Sequence, residues 1–262
     1  MEIYKNKTIL ITGASSGIGE AFAKRLNQLG ANLILTARSK NKLDALASKM
    51  NNAVVIDGDL SDKEFPDTLY NEIVSRKIDV DILINNAGFG FSGLFLQSNK
   101  NNYEEMLNLN IYSLTRLTHL FLKDMVSRKS GGIINISSLA SFQPMPYFAV
   151  YAATKSYVTS FTVALYEEYR QQGINILGVC PGYTKTNFNK RAQISSKSIP
   201  GYMMSSEAVV EQSLQAFKKK KYIIINGKIN SFAKFITALL PQKWTLKIAK
   251  SIIAKGIEQK QW

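Results

Sequence analysis

The stretch that most restricts the fold of this chain lies at its start. Lys7-Thr-Ile-Leu-Ile-Thr12 is a short apolar and β-branched run, and Gly13-Ala-Ser-Ser-Gly17-Ile-Gly19 follows at once. Glu20 to Leu29 then carries apolar residues at helical spacing, namely Ala21, Phe22, Leu26 and Leu29. A run of this kind suits a parallel strand buried on both faces. The glycines permit a tight turn and close approach of backbone to a bound group. The first N–H groups of the following helix, together with its dipole, favour an anion such as a pyrophosphate. Strand, glycine turn and helix in this order predict an α/β chain that opens on a nucleotide-binding unit. The spacing is Gly-x-x-x-Gly-x-Gly, not Gly-x-Gly-x-x-Gly.

The same alternation continues. Strands are predicted at Thr8–Thr12, Asn32–Thr36, Ala53–Asp57, Ile82–Asn85, Gly132–Ser137, Asn175–Cys180 and Tyr222–Ile225. Helices are predicted at Gly17–Leu29, Lys40–Met50, Phe65–Ser75, Tyr103–Leu109, Ile111–Ser127, Tyr151–Gln171 and Ser206–Phe217. Seven strands alternating with helices give a Rossmann-like, doubly wound, seven-stranded parallel sheet with helices on both faces. Ligands of such sheets bind beyond the carboxyl ends of the strands. Gly13, Arg38, Asp59, Asn85, Ser138 and Pro181 all fall at or just after those ends. The expected organisation is a catalytic unit over residues 1–228 and a helical C-terminal extension over 229–262, packed on or near it.

Tyr151 and Lys155 stand four residues apart in Tyr-Ala-Ala-Thr-Lys, so on a helix they share a face. Lys155 is expected to lower the Tyr151 pKa by charge proximity and make the phenol a proton donor and acceptor near neutral pH. Ser138 lies thirteen residues upstream, at a strand end, where it can hydrogen-bond a substrate oxygen. Ser137 is its rival, because neighbours on a strand face opposite ways. On the residues alone both stay open.

At these residues the chain resembles the short-chain dehydrogenase/reductase family, over about residues 5 to 190. Thr12, Gly13, Gly17 and Gly19 match its glycine motif, and Asp59-Leu60 its adenine-contacting turn. Asn85-Asn86-Ala87-Gly88 matches its Asn-Asn-Ala-Gly motif, and Asn110 its helix Asn. Ser138, Tyr151 and Lys155 match its triad, where the spacing to Tyr151 selects Ser138 over Ser137, and Pro181-Gly182 with Thr186 matches its Pro-Gly-x-x-x-Thr segment. The resemblance implies hydride transfer between a nicotinamide cofactor and a carbonyl or alcohol. It implies that Tyr151 exchanges the proton, Ser138 orients the oxygen, Lys155 binds the nicotinamide ribose, and Asn110 holds a relay water. It implies cofactor contacts at Gly13, Ser15, Ser16, Gly17, Ile18, Gly19, Asp59, Leu60, Asn86, Ala87, Gly88, Tyr151, Lys155, Pro181, Gly182, Thr184 and Thr186.

Cofactor choice is read from the end of the second strand, Ala37-Arg38-Ser39. No acid stands there to accept from the ribose diol of NAD. Arg38 can instead pair with a 2′-phosphate, so NADP(H) is preferred, with NAD(H) admitted. One departure from NADP-preferring relatives is that Ser15 and Ser16 stand where many carry a basic residue.

Phe89, Phe91, Met145, Tyr147 and Phe148 are candidates to line an apolar substrate pocket, and Phe188 to Tyr202 to cover it, with Ile194, Ile199 and Met203–Met204 as contacts. The implied activity is carbonyl reduction or alcohol oxidation, with a hydrophobic acyl- or steroid-like substrate. The alternatives are a non-catalytic NADP(H)-binding redox sensor or a peripheral membrane protein of the same fold. A single cysteine, Cys180, rules out an internal disulfide, and a single histidine, His119, leaves no His/Cys-rich metal site. The N-terminus shows no secretory signal, which reads as cytoplasmic, peripheral at a membrane in the alternative. The net charge of +14 fits a solvated basic surface or a membrane-facing patch. No nucleic-acid recognition motif accompanies it. The tail is expected to form two helices separated by Pro241, over Ile229–Leu240 and Trp244–Ile257. They are expected to cover the substrate cleft or a subunit interface, with a membrane surface as the other reading. The resemblance also implies a homodimer, or a tetramer, paired through the helices containing Asn110–Ser127 and Tyr151–Gln171.

Overall fold

A computed structural model describes residues 1–192 and 203–256. Expectations for Ile194, Ile199, Tyr202 and Ile257 lie outside the described residues. Seven strands form one parallel sheet: β1 (Thr8–Thr12), β2 (Asn32–Thr36), β3 (Ala53–Val55), β4 (Ile82–Asn85), β5 (Gly131–Ile136), β6 (Ile174–Cys180) and β7 (Ile223–Ile225). Their order is β3-β2-β1-β4-β5-β6-β7, so the order reverses between β1 and β4. That switch point is where a sheet of this kind opens a crevice at its carboxyl edge.

Alternation along fully apolar strands builds a core on each face. In β1, Ile9 and Ile11 pack with Phe22 and Leu26 of α1 (Gly17–Gln28) and with Leu214 and Phe217 of α8 (Ser206–Lys218). Leu10, between them, points the other way. It joins Leu69 and Ile73 of α3 (Phe65–Ser75) and Leu117 and Phe121 of α5 (Leu114–Ser127). All three β1 side chains are fully buried. Each such burial contributes roughly 1.5–3 kcal/mol, and this explains why the strand reads as a continuous apolar run. The remaining helices are α2 (Lys40–Ala47), α4 (Lys100–Leu107), α6 (Ala149–Tyr169), α7 (Phe188–Arg191), α9 (Lys228–Leu239) and α10 (Gln242–Gly256).

The structure departs from the sequence reading at one helix junction. A break was expected at Asn110; instead α4 runs into α5 through a π-helical turn, Asn108–Ser113. The wide turn carries Asn110 into the interior, where its amide is held by groups from other elements. In the tail, helices form on either side of Pro241, but their apolar residues do not all turn inward. α10 buries Thr245, Ala249 and Ile253 and leaves Trp244 and Ile248 exposed. α9 buries no side chain, and Ile229, Phe232, Phe235 and Leu239 face outward. No helix among the described residues is long and apolar enough to cross a membrane.

Candidate active site

The loops that follow β1 and β4 meet at the switch point and are stitched by two side chains. Thr12 Oγ1 accepts from the backbone N–H groups of Asn86 and Ala87, both at 2.9 Å. Asn86 Nδ2 donates to the carbonyls of Thr12 (2.8 Å) and Gly13 (3.2 Å). Gly13 sits at φ +64°, in the left-handed region that suits glycine. A Cβ on Gly19 would run into the Gly13 carbonyl, so the helix start can close on the turn only because Gly19 has no side chain. Asn85 points elsewhere. Its Nδ2 donates to Thr118 Oγ1 (3.0 Å) and Asn135 Oδ1 (2.9 Å), and Asn135 Nδ2 continues to Thr162 Oγ1 (2.9 Å). This buried chain ties β4 and β5 to α5 and α6.

The proton-handling residues converge on one buried spot. Tyr151, on the first turn of α6, is 6% exposed. Its ring lies between Phe148, with centroids 4.3 Å apart, and Phe188 of α7, at 5.3 Å. Burial pushes the phenol up to about 12; a hydrogen bond with Ser138 works against this, while Tyr183 and Cys180 add to it. Lys155, one turn on, is 4% exposed. Its Nζ donates to the Ile136 carbonyl at 2.8 Å and stands 5.8 Å from the Tyr151 ring centroid. Burial draws the ammonium down to about 8. The expected lowering of the Tyr151 pKa by Lys155 is therefore not met. Desolvation of the phenol sets the direction, while the ammonium is held against the end of β5 by the Ile136 carbonyl.

Ser137 and Ser138 separate cleanly. The Ser137 hydroxyl meets Thr159 Oγ1 at 2.6 Å and the Lys155 carbonyl at 2.9 Å, so it anchors α6 to the sheet. Ser138 faces the Tyr151 side and also accepts from the Ala140 N–H at 3.1 Å. Asn110 clamps the loop after β4. Its Oδ1 accepts from Phe89 N–H (3.1 Å), and its Nδ2 donates to the Phe89 carbonyl (2.9 Å) and Thr154 Oγ1 (3.1 Å). A Cβ on Gly88 would fall 3.1 Å from Asn110 Oδ1 and 3.3 Å from Lys155 Nζ, so this glycine borders the same spot. Cys180, at the end of β6, is a free, fully buried thiol whose pKa burial pushes up to about 11.

At the far end of the crevice Arg38 is half exposed, its Nη1 3.6 Å from Asp59 Oδ2. Burial works against the Asp59 carboxylate, but hydrogen bonds from Ser61 and the Arg38 charge hold its pKa below the usual value. Leu60 is buried, and its carbonyl accepts from the Ser113 hydroxyl. Between the glycine turn and the segment after β6 lies a polar groove of about 430 Å3, lined by Ser16, Gly17, Lys185, Thr186 and Asn187 among others. Thr186 Oγ1 accepts from Phe188 N–H (3.2 Å), and Thr184 Oγ1 donates to the Gly182 carbonyl (3.0 Å). The Pro181 carbonyl accepts from Leu139 N–H at 2.8 Å, tying this segment to the Ser138 turn.

Two cations escaped the reading of the sequence. Lys40, two residues after Arg38, has its Nζ 3.5 Å from Asp57 and 3.8 Å from Asp44. Arg191 sets its guanidinium 3.9 Å from the Phe89 ring centroid. Partial burial and repulsion by Arg38 lower its pKa, against the pull of Glu105 and Asp59. Lys40 was within reach of a sequence reading, because it opens the helix after Arg38. Arg191 was not, since its partners lie far away in the chain.

The aromatic candidates divide. Phe89 and Phe148 are buried with Tyr151, and Met145 packs against that cluster. Phe91 also packs against it and, with Tyr147, lines an adjoining cavity of about 290 Å3, together with Phe95, Tyr103, Val150 and Lys250 of α10. Tyr147 holds φ +64°, a region costly for a side-chain-bearing residue, and its carbonyl accepts from Gly93 N–H at 2.8 Å.

A family model described as short chain dehydrogenase matches residues 7–196. An uncharacterized oxidoreductase of Staphylococcus epidermidis is 31% identical over 202 residues, which cover 74% of this chain and 88% of the relative. The very-long-chain 3-oxoacyl-CoA reductase of Homo sapiens is 32% identical over 188 residues, 69% of this chain and 60% of the relative's length. Among solved structures, a short-chain dehydrogenase from Sphingobium yanoikuyae in complex with NADPH aligns with a TM-score of 0.80 at 30% identity, covering 90% of this chain and 96% of that one. The family match spans every strand from β1 to β6 and both loops that meet at the switch point, and with it this chain is shown to belong to the short-chain dehydrogenase family, as an oxidoreductase.

Proposed function

We infer that the protein reduces a carbonyl to an alcohol, or runs the reverse oxidation, with NADP(H), and that its substrate is a bulky hydrophobic oxoacyl compound. The observation that carries this reading is the convergence of Ser138, Tyr151 and Lys155 on one buried spot beside Gly88. The residues present fit a dinucleotide. The glycine turn has no side chain where a pyrophosphate would approach, a polar groove adjoins it, and Arg38 with Lys40 offers positive charge where a 2′-phosphate would lie. The bound cofactor supplies or accepts the hydride.

The chain's own groups manage the proton. Tyr151, with its pKa near 12, is protonated at neutral pH and so serves as the acid of the reductive direction. Ser138 holds the substrate oxygen beside it. Lys155 brings positive charge to the phenolate left behind and binds the nicotinamide ribose. Asn110 spends its amide on Phe89 and Thr154, so it fixes the loop, and a relay water would sit beside it. The hydrophobic substrate is supported by the relative that is a very-long-chain 3-oxoacyl-CoA reductase and by the aromatic cavity along Phe91 and Tyr103. We further propose a homodimer paired through the outer faces of α5 and α6, where Tyr157 of α6 and Tyr112 of the π turn before α5 are exposed.

The test is cofactor consumption, read by absorbance, against aldehydes, bulky ketones, steroids and 3-oxoacyl thioesters, with NADPH and NADH in parallel. Turnover of oxoacyl thioesters with NADPH is expected. Tyr151→Phe is expected to lower kcat by roughly 10³-fold and to leave NADPH affinity within about threefold. Tight NADPH binding without turnover of any class would replace this reading with that of a redox sensor.

A further inference from the structure

We propose that α9 and α10 dock this protein onto an anionic lipid surface, the carboxyl edge of the sheet turned toward the lipid. α9 is packed inside out. Asn230, Lys234 and Thr237, at helical spacing, are its partly buried positions. Asn230 abuts Gly182, and Lys234 Nζ lies 5.5 Å from the Phe142 ring centroid. The apolar residues are turned to the outside: Ile229 is 68% exposed, Phe232 66%, Phe235 58% and Leu239 68%. On α10, Trp244 (63% exposed) and Ile248 (44%) extend the apolar surface, with Lys243 and Lys247 exposed beside them. A stripe of large apolar side chains held outward by polar contacts on the inner side is the reverse of what water favours, and it marks a surface made to be covered.

Charge decides what covers it. From Gly227 to Gly256, which spans both helices, the sequence holds six lysines and no Asp or Glu. An anionic bilayer complements that field, each lysine near its surface adding attraction. A second copy docked through the same face would set like charges against like. Trp244 beside lysines suits the headgroup level, where an indole ring and long cationic side chains are both satisfied. Neither helix is long and apolar enough to span, so the pair lies in the plane of the surface. Because Asn230 and Lys234 touch the segments after β6 and β5, the lipid-facing surface is continuous with the rim of the site. This goes beyond the proposed reduction: a substrate kept in a bilayer would be met at the rim.

The experiment is flotation of the full chain with vesicles of phosphatidylcholine alone and of an equimolar mixture with phosphatidylglycerol, alongside analytical ultracentrifugation without lipid. The chain is expected to float with the anionic vesicles and to be released by salt of about 1 M. Phe232→Glu/Phe235→Glu is expected to lower the partition coefficient roughly a hundredfold with an unchanged far-UV melting curve. Lys243→Glu/Lys247→Glu, which keeps the apolar stripe, is expected to lower it about tenfold or more. Absence from anionic vesicles, or equal flotation of the Phe232/Phe235 variant, overturns the proposal. A lipid-free dimer that this variant dissociates, with no flotation, assigns the face to a second copy and also overturns it. No readout requires turnover, so failure here is distinguishable from failure of the reductase reading.

Discussion

Arg38 and Lys155 each carry a consequence of their surroundings. Arg38 has Asp59 as its ion partner at 3.6 Å and remains half exposed, so its charge is available to a phosphate. Arg38→Asp is expected to move the NADPH-to-NADH preference, measured as the ratio of kcat/KM values, by roughly one to two orders of magnitude toward NADH. Lys155 holds its proton to about 10.5 when unfolded but only to about 8 when folded. Between these values the unfolded chain binds the extra proton, so this residue makes stability rise with pH. Below about 8 both states are protonated and the burial penalty is felt in full. Lys155→Met is therefore expected to be relatively more stable than the parent near neutral pH. That difference should shrink, by roughly 3 kcal/mol in all, as the pH is raised through this window. Chemical denaturation of both proteins between about pH 7 and 10 measures it, and a constant difference would refute the assignment. The place of Ser138 beside Tyr151 was legible in the sequence through the family resemblance. The Tyr151 pKa was not, because spacing shows that a lysine is near but not where its ammonium is aimed.

The elements were legible where local chemistry agrees with tertiary demand. The bounds of β1 and the start of α1 match their sequence reading to the residue, since an apolar β-branched run ends at a glycine that takes positive φ. The turn is also where a small change has a large effect. Gly19→Ala places a methyl against the Gly13 carbonyl and is expected to cost about 1–3 kcal/mol and to weaken NADPH binding at least tenfold, read by thermal unfolding and cofactor fluorescence. The junction at Asn110 was misread as a break. A π turn is set by what its side chain must reach, here a loop twenty-one residues away in sequence, and helical periodicity carries no record of that. α9 was legible as a helix but not in its orientation. Periodicity finds an apolar stripe without saying whether a cleft, a partner or a membrane covers it, and here Asn230 and Lys234 take the inner side.

At the scale of the whole molecule, two regions far apart in sequence share one wall. The cavity along Phe91, Tyr103 and Tyr147 is lined also by Lys250 of α10, whose Nζ lies 5.9 Å from the Tyr147 ring centroid. An acyl thioester whose carrier bears phosphates would meet this cation, whereas a neutral ketone would not. Lys250→Glu is expected to lower kcat/KM for a 3-oxoacyl-CoA about tenfold and to leave that for a neutral bulky ketone unchanged; equal effects on both would remove Lys250 from substrate selection. Cys180 leads somewhere different. It is the chain's one thiol and is sealed at the end of β6, so it should not react with maleimides or nitroxide reagents while the fold is intact. A cysteine introduced anywhere on the outside would then be the single labelled position, without any background to remove. Spin-label depth profiles or distances between protomers can thus be collected from the native sequence plus one substitution.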